Sequence, residues 1–357
     1  MQKIICLFMV LVLQSCLSVS SYLPDGFDKP NGIGKELQQE TLLNSTITSQ
    51  LTGLAKSSYC DAVTILYKDK IIYSYGETKL PLNCASVRKS IYSVLFGIAE
   101  QKGIINLDAT LASMGIDDAK QPLTTTEKTA TIRMLLQARS GIYLPALGES
   151  QSNRDLKPKR GQYLPNTFFY YNNWDFNILP IILERKTNKK IGHIIYEWLS
   201  IPLGMTHFKP SDVTYQYDDY TEYPQTRVYM TAEDLARIGA LYVANGTWNG
   251  VQLINSSWIE QSTTAVSKKE TETGFDKWAD LWDGYAYMWW TDRQEQSFWA
   301  AGTGGQFMIV DRPKNLVVVI RKNTGLSLAS SAVYNMTERE VTKTNADLIY
   351  KLVKSQF

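Results

Sequence analysis

Three stretches of the chain differ in the spacing of their apolar residues, and each predicts a different kind of structure. In the first, apolar residues recur at helical spacing from 43 to 54, and apolar runs at 62–67 and 71–75 predict two strands joined in a hairpin. A second helix follows, starting at Ser86 and ended by Gly103. Apolar residues from Ile91 to Ile98 recur at helical spacing, and we expect this helix to be buried.

The middle stretch, from about 104 to 270, has mainly helical patterns. Thr131 is placed to cap a short helix, and Thr231 begins a capping-box pattern followed by a helix that closes near Gly246. Residues 145–167 are polar with several Gly and Pro, which predicts a long loop. Loops of this length often form the rim of a functional site.

The last stretch returns to strand patterns. Four strands are predicted at 285–290, 297–301, 306–310 and 316–321. A final helix carries apolar residues from 346 to 353. Strands at both ends with helices between them predict an α+β domain over 36–357, in which one sheet is shared by both chain ends. The sheet lobe then comprises about 36–103 and 280–357, and the helical lobe about 104–279.

The first residues have the features of an export signal. Lys3 precedes a short apolar run that ends in Leu-Gln-Ser-Cys, a sequence that resembles the bacterial lipobox. We expect a signal peptide at 1–15, lipid on Cys16 and a tether over 16–35. This predicts an exported lipoprotein anchored in the membrane, on the periplasmic face of the outer membrane. The alternative is a soluble periplasmic or secreted form cleaved near Ser20.

Composition narrows the range of functions. Of 357 residues, 44% are hydrophobic and 20% are charged, which is typical of a globular domain. The net charge is +2 and no basic tract occurs, so nucleic-acid binding has no support. The two histidines, His193 and His207, form no metal-like cluster, and we expect neither metal nor cofactor.

Two cysteines remain in the domain after the export segment. Cys60 and Cys84 would lie in a compartment that permits disulfides, so they either pair or stay as two unpaired buried thiols. Because Cys84 lies two residues before Ser86, a disulfide would stiffen that segment.

Ser86 and Lys89 are the first candidates for catalysis. They lie three residues apart at the start of a helix, so the hydroxyl and the amine project from the same face. A serine hydroxyl becomes a nucleophile when a nearby base takes its proton, and a lysine whose pKa is lowered by burial can be that base. The pair is therefore a minimal arrangement for acyl transfer.

Two later motifs, together with Ser86 and Lys89, form a recognisable order along the chain. Tyr171-x-Asn173 follows in the middle stretch, and Thr303-Gly304-Gly305 lies between two predicted strands. In this order the motifs resemble those of the serine β-lactamase and penicillin-binding-protein superfamily, specifically its class C-like branch with esterase and aminohexanoate-oligomer hydrolase relatives. The resemblance covers nearly all of residues 40–357. It implies the β-lactamase/transpeptidase-like fold and a serine hydrolase.

The resemblance also implies a role for each matching residue. Ser86 matches the acylated nucleophile, Lys89 and Tyr171 the proton-transfer pair, and Asn173 the amide that orients Lys89 and the substrate. Tyr170 is a rival for the tyrosine role, and the formal base stays open between Lys89 and Tyr171. Thr303, Gly304 and Gly305 occupy the third, substrate-binding motif. The expected oxyanion donors are the backbone N–H groups of Ser86 and Gln306.

The third motif bears on the substrate. Many family members place Lys or His at its start to meet a substrate carboxylate, whereas this chain has Thr303 after neutral residues. This favours a hydrolase of small-molecule esters or amides. Separately, we expect the protein to be a monomer. A D-alanyl-D-alanine carboxypeptidase or weak β-lactamase is the alternative of the same class. A non-catalytic cell-envelope binding protein on the same fold is the alternative of another class.

Overall fold

A computed structural model describes residues 36–325 and 340–357. The predicted signal peptide at 1–15, the tether at 16–35 and Cys16 therefore lie outside the described residues. Within the described ranges, no helix combines the length and the apolar character needed to cross a membrane.

An eight-stranded antiparallel sheet forms the centre of the fold, and both ends of the chain contribute to it. Of the thirteen strands in the described residues, eight belong to this sheet. The thirteen are β1 Ala62–Tyr67, β2 Lys70–Gly76, β3 Leu82–Asn83, β4 Val213–Gln216, β5 Gln225–Met230, β6 Thr247–Trp248, β7 Val251–Gln252, β8 Ser267–Lys268, β9 Gly284–Tyr285, β10 Trp290–Asp292, β11 Ser297–Gly302, β12 Gln306–Asp311 and β13 Leu316–Arg321. The order in the large sheet is β2-β1-β13-β12-β11-β10-β9-β8. Early β1 pairs with late β13, with Val63 opposite Ile320. The predicted α+β architecture is confirmed.

Helices flank the sheet, and most of the described helices lie in the segment between β3 and β8. They are α1 Ser45–Ser57, α2 Val87–Gln101, α3 Ile132–Leu136, α4 Gln151–Asp155, α5 Asn173–Thr187, α6 Ile191–Ile195, α7 Ile201–Leu203, α8 Ala232–Val243, α9 Ser256–Thr263 and α10 Lys343–Lys354. The Thr231 hydroxyl accepts a hydrogen bond from the Asp234 amide at 2.9 Å, which caps α8 as its sequence predicts. Two smaller sheets, β3-β5-β4 and β6-β7, complete the fold.

The single strand predicted at 285–290 is wrong. The segment folds into two short strands, β9 and β10, which pair with each other at Tyr285 and Trp290. Met288 has a φ of 61°, and the amide of Ala286 donates to the Trp289 carbonyl at 2.9 Å. A left-handed residue reverses the chain direction, which the continuous apolar pattern does not reveal.

The predicted loop at 145–167 contains α4 and is anchored by charge. The Lys157 ammonium lies 2.6 Å from the Glu149 carboxylate, and both side chains are largely shielded from solvent. Helix α2 is buried from Val87 to Ala99 and connects the sheet to the helical region. Ser86 and Lys89 therefore lie at the start of a closely packed helix that has little freedom to move.

Candidate active site

Ser86 lies at the N-cap of α2, at the end of a tightly held turn. Ala85 has a φ of 45°, a left-handed conformation that costs a non-glycine residue about 1–3 kcal/mol. Two hydrogen bonds hold the turn: the Ala85 amide donates to Asn83 Oδ1 at 3.0 Å, and Arg88 Nη1 donates to the Ala85 carbonyl at 2.9 Å. The backbone that leads into Ser86 is therefore held by contacts within the protein.

Lys89 links Ser86 to Tyr171. Its Nζ lies 3.0 Å from Ser86 Oγ and 2.7 Å from the Tyr171 hydroxyl. The lysine side chain is buried, and its Nζ also lies 4.5 Å from the centre of the Phe176 ring. The structure thus brings together an alcohol and an amine three residues apart with a phenol 82 residues beyond the amine.

The surroundings of these groups set their protonation. Burial, followed by repulsion from the neighbouring Arg88 guanidinium, holds the pKa of Lys89 well below its usual value, against a weaker attraction from Glu149. Burial also raises the pKa of Tyr171 to about 12, although a hydrogen bond with Ser86 and the charge of Arg88 oppose this rise. A neutral amine and a protonated phenol are the forms that these shifts favour near neutral pH.

Tyr171, and not its neighbour Tyr170, reaches Lys89. The Tyr170 hydroxyl instead donates to the backbone carbonyl of Asn153 at 2.9 Å. The Tyr171 ring is packed among other aromatic rings, with centroids 5.3 Å from Trp278 and 5.3 Å from Trp290. This packing fixes the direction of the phenol hydroxyl.

Asn173 is close in the chain but makes no hydrogen bond to Lys89 in the part of the chain that the structure describes. It is the first residue of α5, only 2% exposed, and its Oδ1 is buried without a hydrogen-bond partner. Buried amide oxygens are rarely left without a donor in folded proteins. The predicted role of Asn173 in orienting Lys89 therefore finds no contact here, and an unsatisfied acceptor remains beside the site.

The third motif forms the turn between β11 and β12. Thr303, Gly304 and Gly305 occupy this turn, and Thr303 is exposed. Gly302, the last residue of β11, lies close to the backbone of the nucleophile. A Cβ on Gly302 would lie 2.9 Å from the Ser86 nitrogen and 2.8 Å from the Cys84 carbonyl oxygen, so only glycine fits there.

Gln306 lies across the β11–β12 hairpin from Gly302 and is fully buried. The expected role of its backbone N–H as an oxyanion donor stays a prediction. Its side chain accepts from Arg321 Nε at 2.8 Å and donates to the Lys322 carbonyl at 2.5 Å. Of the two paired residues, Gly302 is the one that lies close to the backbone of the turn before α2.

Arg321 connects the strands around the site. Its guanidinium is fully buried and donates to the Met230 carbonyl at 2.7 Å, the Leu82 carbonyl at 2.9 Å and the Asn83 carbonyl at 3.1 Å. Together with Gln306, it ties β13 and β12 to the segment that leads into Ser86. The only sequence signal for this role is a charged residue that ends the apolar run of β13.

Cys60 and Cys84 are both free and buried, so the unpaired alternative holds in this structure. Burial raises the pKa of the Cys60 thiol to about 12 and also raises the pKa of Cys84. Neither thiol has the character of a reactive cysteine. Among the described residues, no group of His, Cys, Asp and Glu side chains could hold a metal ion.

Comparison with known proteins identifies the family. A family model described as beta-lactamase matches residues 61–343, which is well over half of the chain. The chain belongs to the beta-lactamase family. The matched region of this serine hydrolase family contains Ser86, Lys89, Tyr171 and the third motif, so the resemblance predicted from motif order is confirmed. A search of curated protein sequences finds no match.

Solved structures of beta-lactamase-family proteins share the fold. A provisionally named 6-aminohexanoate-dimer hydrolase from Bacillus anthracis is 20% identical, with a TM-score of 0.63 over 92% of this chain and 90% of that chain. A provisionally named beta-lactamase from Bacteroides dorei is 15% identical, with a TM-score of 0.60 over 87% and 98%. EstCE1, a hydrolase with promiscuous acyltransferase activity, is 14% identical, with a TM-score of 0.54 over 80% and 96%. At these identities the likeness shows the fold alone.

Proposed function

We propose that the protein is a class C-like serine hydrolase that cleaves esters or small amides through an acyl-enzyme on Ser86. The observation that carries the proposal is the contact between Lys89 Nζ and both the Ser86 and Tyr171 hydroxyls, at 3.0 and 2.7 Å. Hydrogen-bonded contact between a nucleophile, a base and a third group is what nucleophilic catalysis requires. The fold shared with hydrolases supports the same reading.

The proposed reaction begins with proton transfer. A neutral Lys89 amine takes the proton of Ser86 as its oxygen attacks the acyl carbon, and the carbonyl oxygen becomes negative. Backbone N–H groups of Ser86 and of the β11–β12 hairpin, which carries Gly302 and Gln306, stabilise that charge. The proton then passes through the Lys89–Tyr171 pair to the leaving oxygen or nitrogen, and the bond to the leaving group breaks.

Water completes the turnover. It attacks the Ser86 ester while the same pair accepts its proton, and the proton returns to Ser86 Oγ as the acid is released. No cofactor enters either half-reaction. Lys89 is the better candidate for the base because burial favours its neutral form, whereas burial keeps the Tyr171 proton in place by raising that pKa to about 12.

Mutation of the nucleophile tests this proposal. Ser86→Ala should abolish hydrolysis of p-nitrophenyl butyrate, measured by release of p-nitrophenol, because no other described hydroxyl bonds to Lys89 except that of Tyr171. Ser93→Ala, which removes a buried hydroxyl two turns along α2, is the matched control and should keep wild-type activity. Full activity in Ser86→Ala would refute the acyl-enzyme on this residue.

Two alternative functions predict different results in labelling experiments. Stoichiometric labelling of Ser86 by a fluorescent penicillin, with slow release, would favour the carboxypeptidase or β-lactamase alternative. The exposed, uncharged Thr303 argues against it, because a β-lactam carboxylate would lack a cation there. Absence of labelling by both penicillin and a fluorophosphonate would favour a non-catalytic binding protein.

We also propose that the protein is exported as a lipoprotein, as its first residues suggest. Lipid on Cys16 would anchor it to the membrane. Expressed as the full chain, it should incorporate labelled palmitate and sediment with membranes, and Cys16→Ser should lose both properties. Equal membrane association of the two forms would contradict the anchor.

A further inference from the structure

The long loop predicted at 145–167 folds against the segment that carries Tyr171. Its helix α4 contains Asn153, which is only 5% exposed. The Tyr170 hydroxyl donates to the Asn153 backbone carbonyl at 2.9 Å. The Asn153 side chain donates from Nδ2 to the Tyr171 carbonyl at 3.4 Å and accepts at Oδ1 from the Lys277 ammonium. One buried amide thus joins the loop to a residue of the candidate active site.

The partners of this amide fix its orientation. An ammonium only donates hydrogen bonds and a backbone carbonyl only accepts them, so Lys277 faces Oδ1 and the Tyr171 carbonyl faces Nδ2. The Lys277 ammonium also donates to the Ser152 hydroxyl at 2.9 Å. Both of these partners of the ammonium lie on α4, so Lys277 ties the turn Thr273–Trp278 to that helix.

The same turn supports the ring of Tyr171. Trp278, the last residue of the turn, packs on that ring with centroids 5.3 Å apart. Near its start the turn lies against the backbone before α5, because a Cβ on Gly274 would lie 1.9 Å from the Phe169 carbonyl oxygen. The Phe169 and Phe275 rings are also in contact, with centroids 5.3 Å apart. The turn therefore packs on both the backbone and the rings of this segment.

Tyr171 is thus held at two places, at its carbonyl by Asn153 and at its ring by Trp278. Its hydroxyl lies 2.7 Å from Lys89 Nζ, and proton transfer requires the two groups to stay within hydrogen-bond distance. A displacement of about 1 Å can lower a reaction rate by about 100-fold. Residues that fix the Tyr171 segment therefore affect the rate of the proposed reaction.

We infer that Asn153 and Lys277 are positioning residues that hold Tyr171 in place for proton transfer. This inference rests on the proposed hydrolysis at Ser86 and adds two residues to its machinery. It also gives the long loop a function that the sequence motifs do not assign. Helix α4 supplies the amide, and the turn Thr273–Trp278 supplies the ammonium and the supporting indole ring.

A double-mutant cycle with Tyr171→Phe tests the inference. Asn153→Leu nearly preserves the volume of the side chain and removes its hydrogen bonds, so it should lower kcat for p-nitrophenyl butyrate about 10-fold and change KM less than about 2-fold. In the Tyr171→Phe background the same replacement should lower kcat less than about 2-fold, because the hydroxyl that it positions is gone. Lys277→Met should behave in the same way, and Lys277→Arg, which still donates, should keep most of the wild-type kcat.

The matched control is a second amide on the same helix. Gln151 is exposed and contacts Asp155 and Arg154 within α4, so Gln151→Leu should keep wild-type kcat. An equal loss of kcat from Asn153→Leu with and without the Tyr171 hydroxyl would overturn the inference while leaving the hydrolase intact. Lys277→Met, at a partly exposed position, provides the same comparison if Asn153→Leu does not fold.

Amide hydrogen exchange separates the inference from the proposed reaction. Asn153→Leu and Lys277→Met should each speed exchange in a peptide spanning 166–172 by about 10-fold, and leave exchange in peptides from α2 unchanged. Exchange of 166–172 at the wild-type rate in both variants would contradict the inference. A wild-type protein that hydrolyses no ester would instead count against the hydrolase, and exchange would then decide whether the two residues hold the Tyr171 segment.

Discussion

At the residue scale, the site depends on one amine kept neutral by its surroundings. Lys89 is buried beside the Arg88 guanidinium, so its protonated form is disfavoured. Tyr171 is buried too, and burial disfavours its ionised form. The same low-polarity environment thus prepares one group to accept a proton and the other to hold one.

The pH dependence of activity follows from this arrangement. Below the pKa of Lys89 the amine is protonated and cannot accept the Ser86 proton, so kcat/KM for p-nitrophenyl butyrate should rise with pH through that pKa. It should then stay level to at least pH 10, because the Tyr171 phenol keeps its proton until about pH 12. Initial rates from pH 5 to 10 measure the profile. A fall in rate between pH 7 and 9 would contradict it.

The role of the Tyr171 hydroxyl in proton transfer can be tested by removing its oxygen. Tyr171→Phe should lower kcat about 100-fold or more, because the leaving group loses its proton donor. Tyr285→Phe is the matched control, since it removes a hydroxyl from a buried ring 5.9 Å from that of Tyr171. Equal loss of activity in both variants would mean that ring packing, and not proton transfer, is what Tyr171 provides.

At the scale of elements, Arg321 determines how the strands meet the nucleophile. Its hydrogen bonds join β13 to β5, to β12 through Gln306, and to the segment that leads into Ser86. Buried carbonyl groups that lose their donor cannot recover it from water. The strands and the turn before α2 are therefore expected to act as one unit.

Replacement of Arg321 should affect both stability and rate. We expect Arg321→Met to lower the free energy of unfolding by about 3–5 kcal/mol, measured by urea denaturation, because three backbone carbonyls lose their donor. Arg321→Lys should fold better and yet show a reduced kcat, since one ammonium cannot hold all three carbonyls. The control Arg312→Met removes a largely exposed pair with Glu260 and should cost less than about 1 kcal/mol.

At the scale of the whole molecule, buried carboxyl groups make stability depend on pH. Burial raises the pKa of Asp212 to about 7, with a further contribution from Asp234, whose pKa is also raised to about 7. A carboxyl group with a raised pKa holds its proton more tightly in the folded state than in the unfolded state. Its contribution to stability is therefore present at low pH and is lost as pH rises toward 7.

Asp212→Asn should weaken this dependence. Wild-type protein should lose unfolding free energy between pH 4 and pH 8, and the variant should lose less, because a neutral amide has no proton to release. Urea denaturation at pH 5 and pH 8 measures the difference between the two proteins. An identical pH dependence would show that Asp212 titrates in the fold as it does in the unfolded chain.

The sequence was sufficient for much of the fold. Apolar periodicity located α1, α2 and the strands β1, β2, β12 and β13, and capping residues such as Thr231 located α8. These features are local, so a window of about ten residues contains their cause. The chain reversal at Met288 could not be predicted from the sequence, because a residue in the left-handed conformation does not change the pattern of apolar positions.

What the sequence determined by itself is the set of chemical groups and their order: Ser86 one turn before Lys89, then Tyr171 and the glycine-rich turn. Only the tertiary structure decided which groups meet. It selected Tyr171 over Tyr170, placed Gly302 against the backbone of Ser86, and left Cys60 and Cys84 unpaired. The physical reason is that such contacts join residues far apart in the chain, and the packing of separate elements sets their distances.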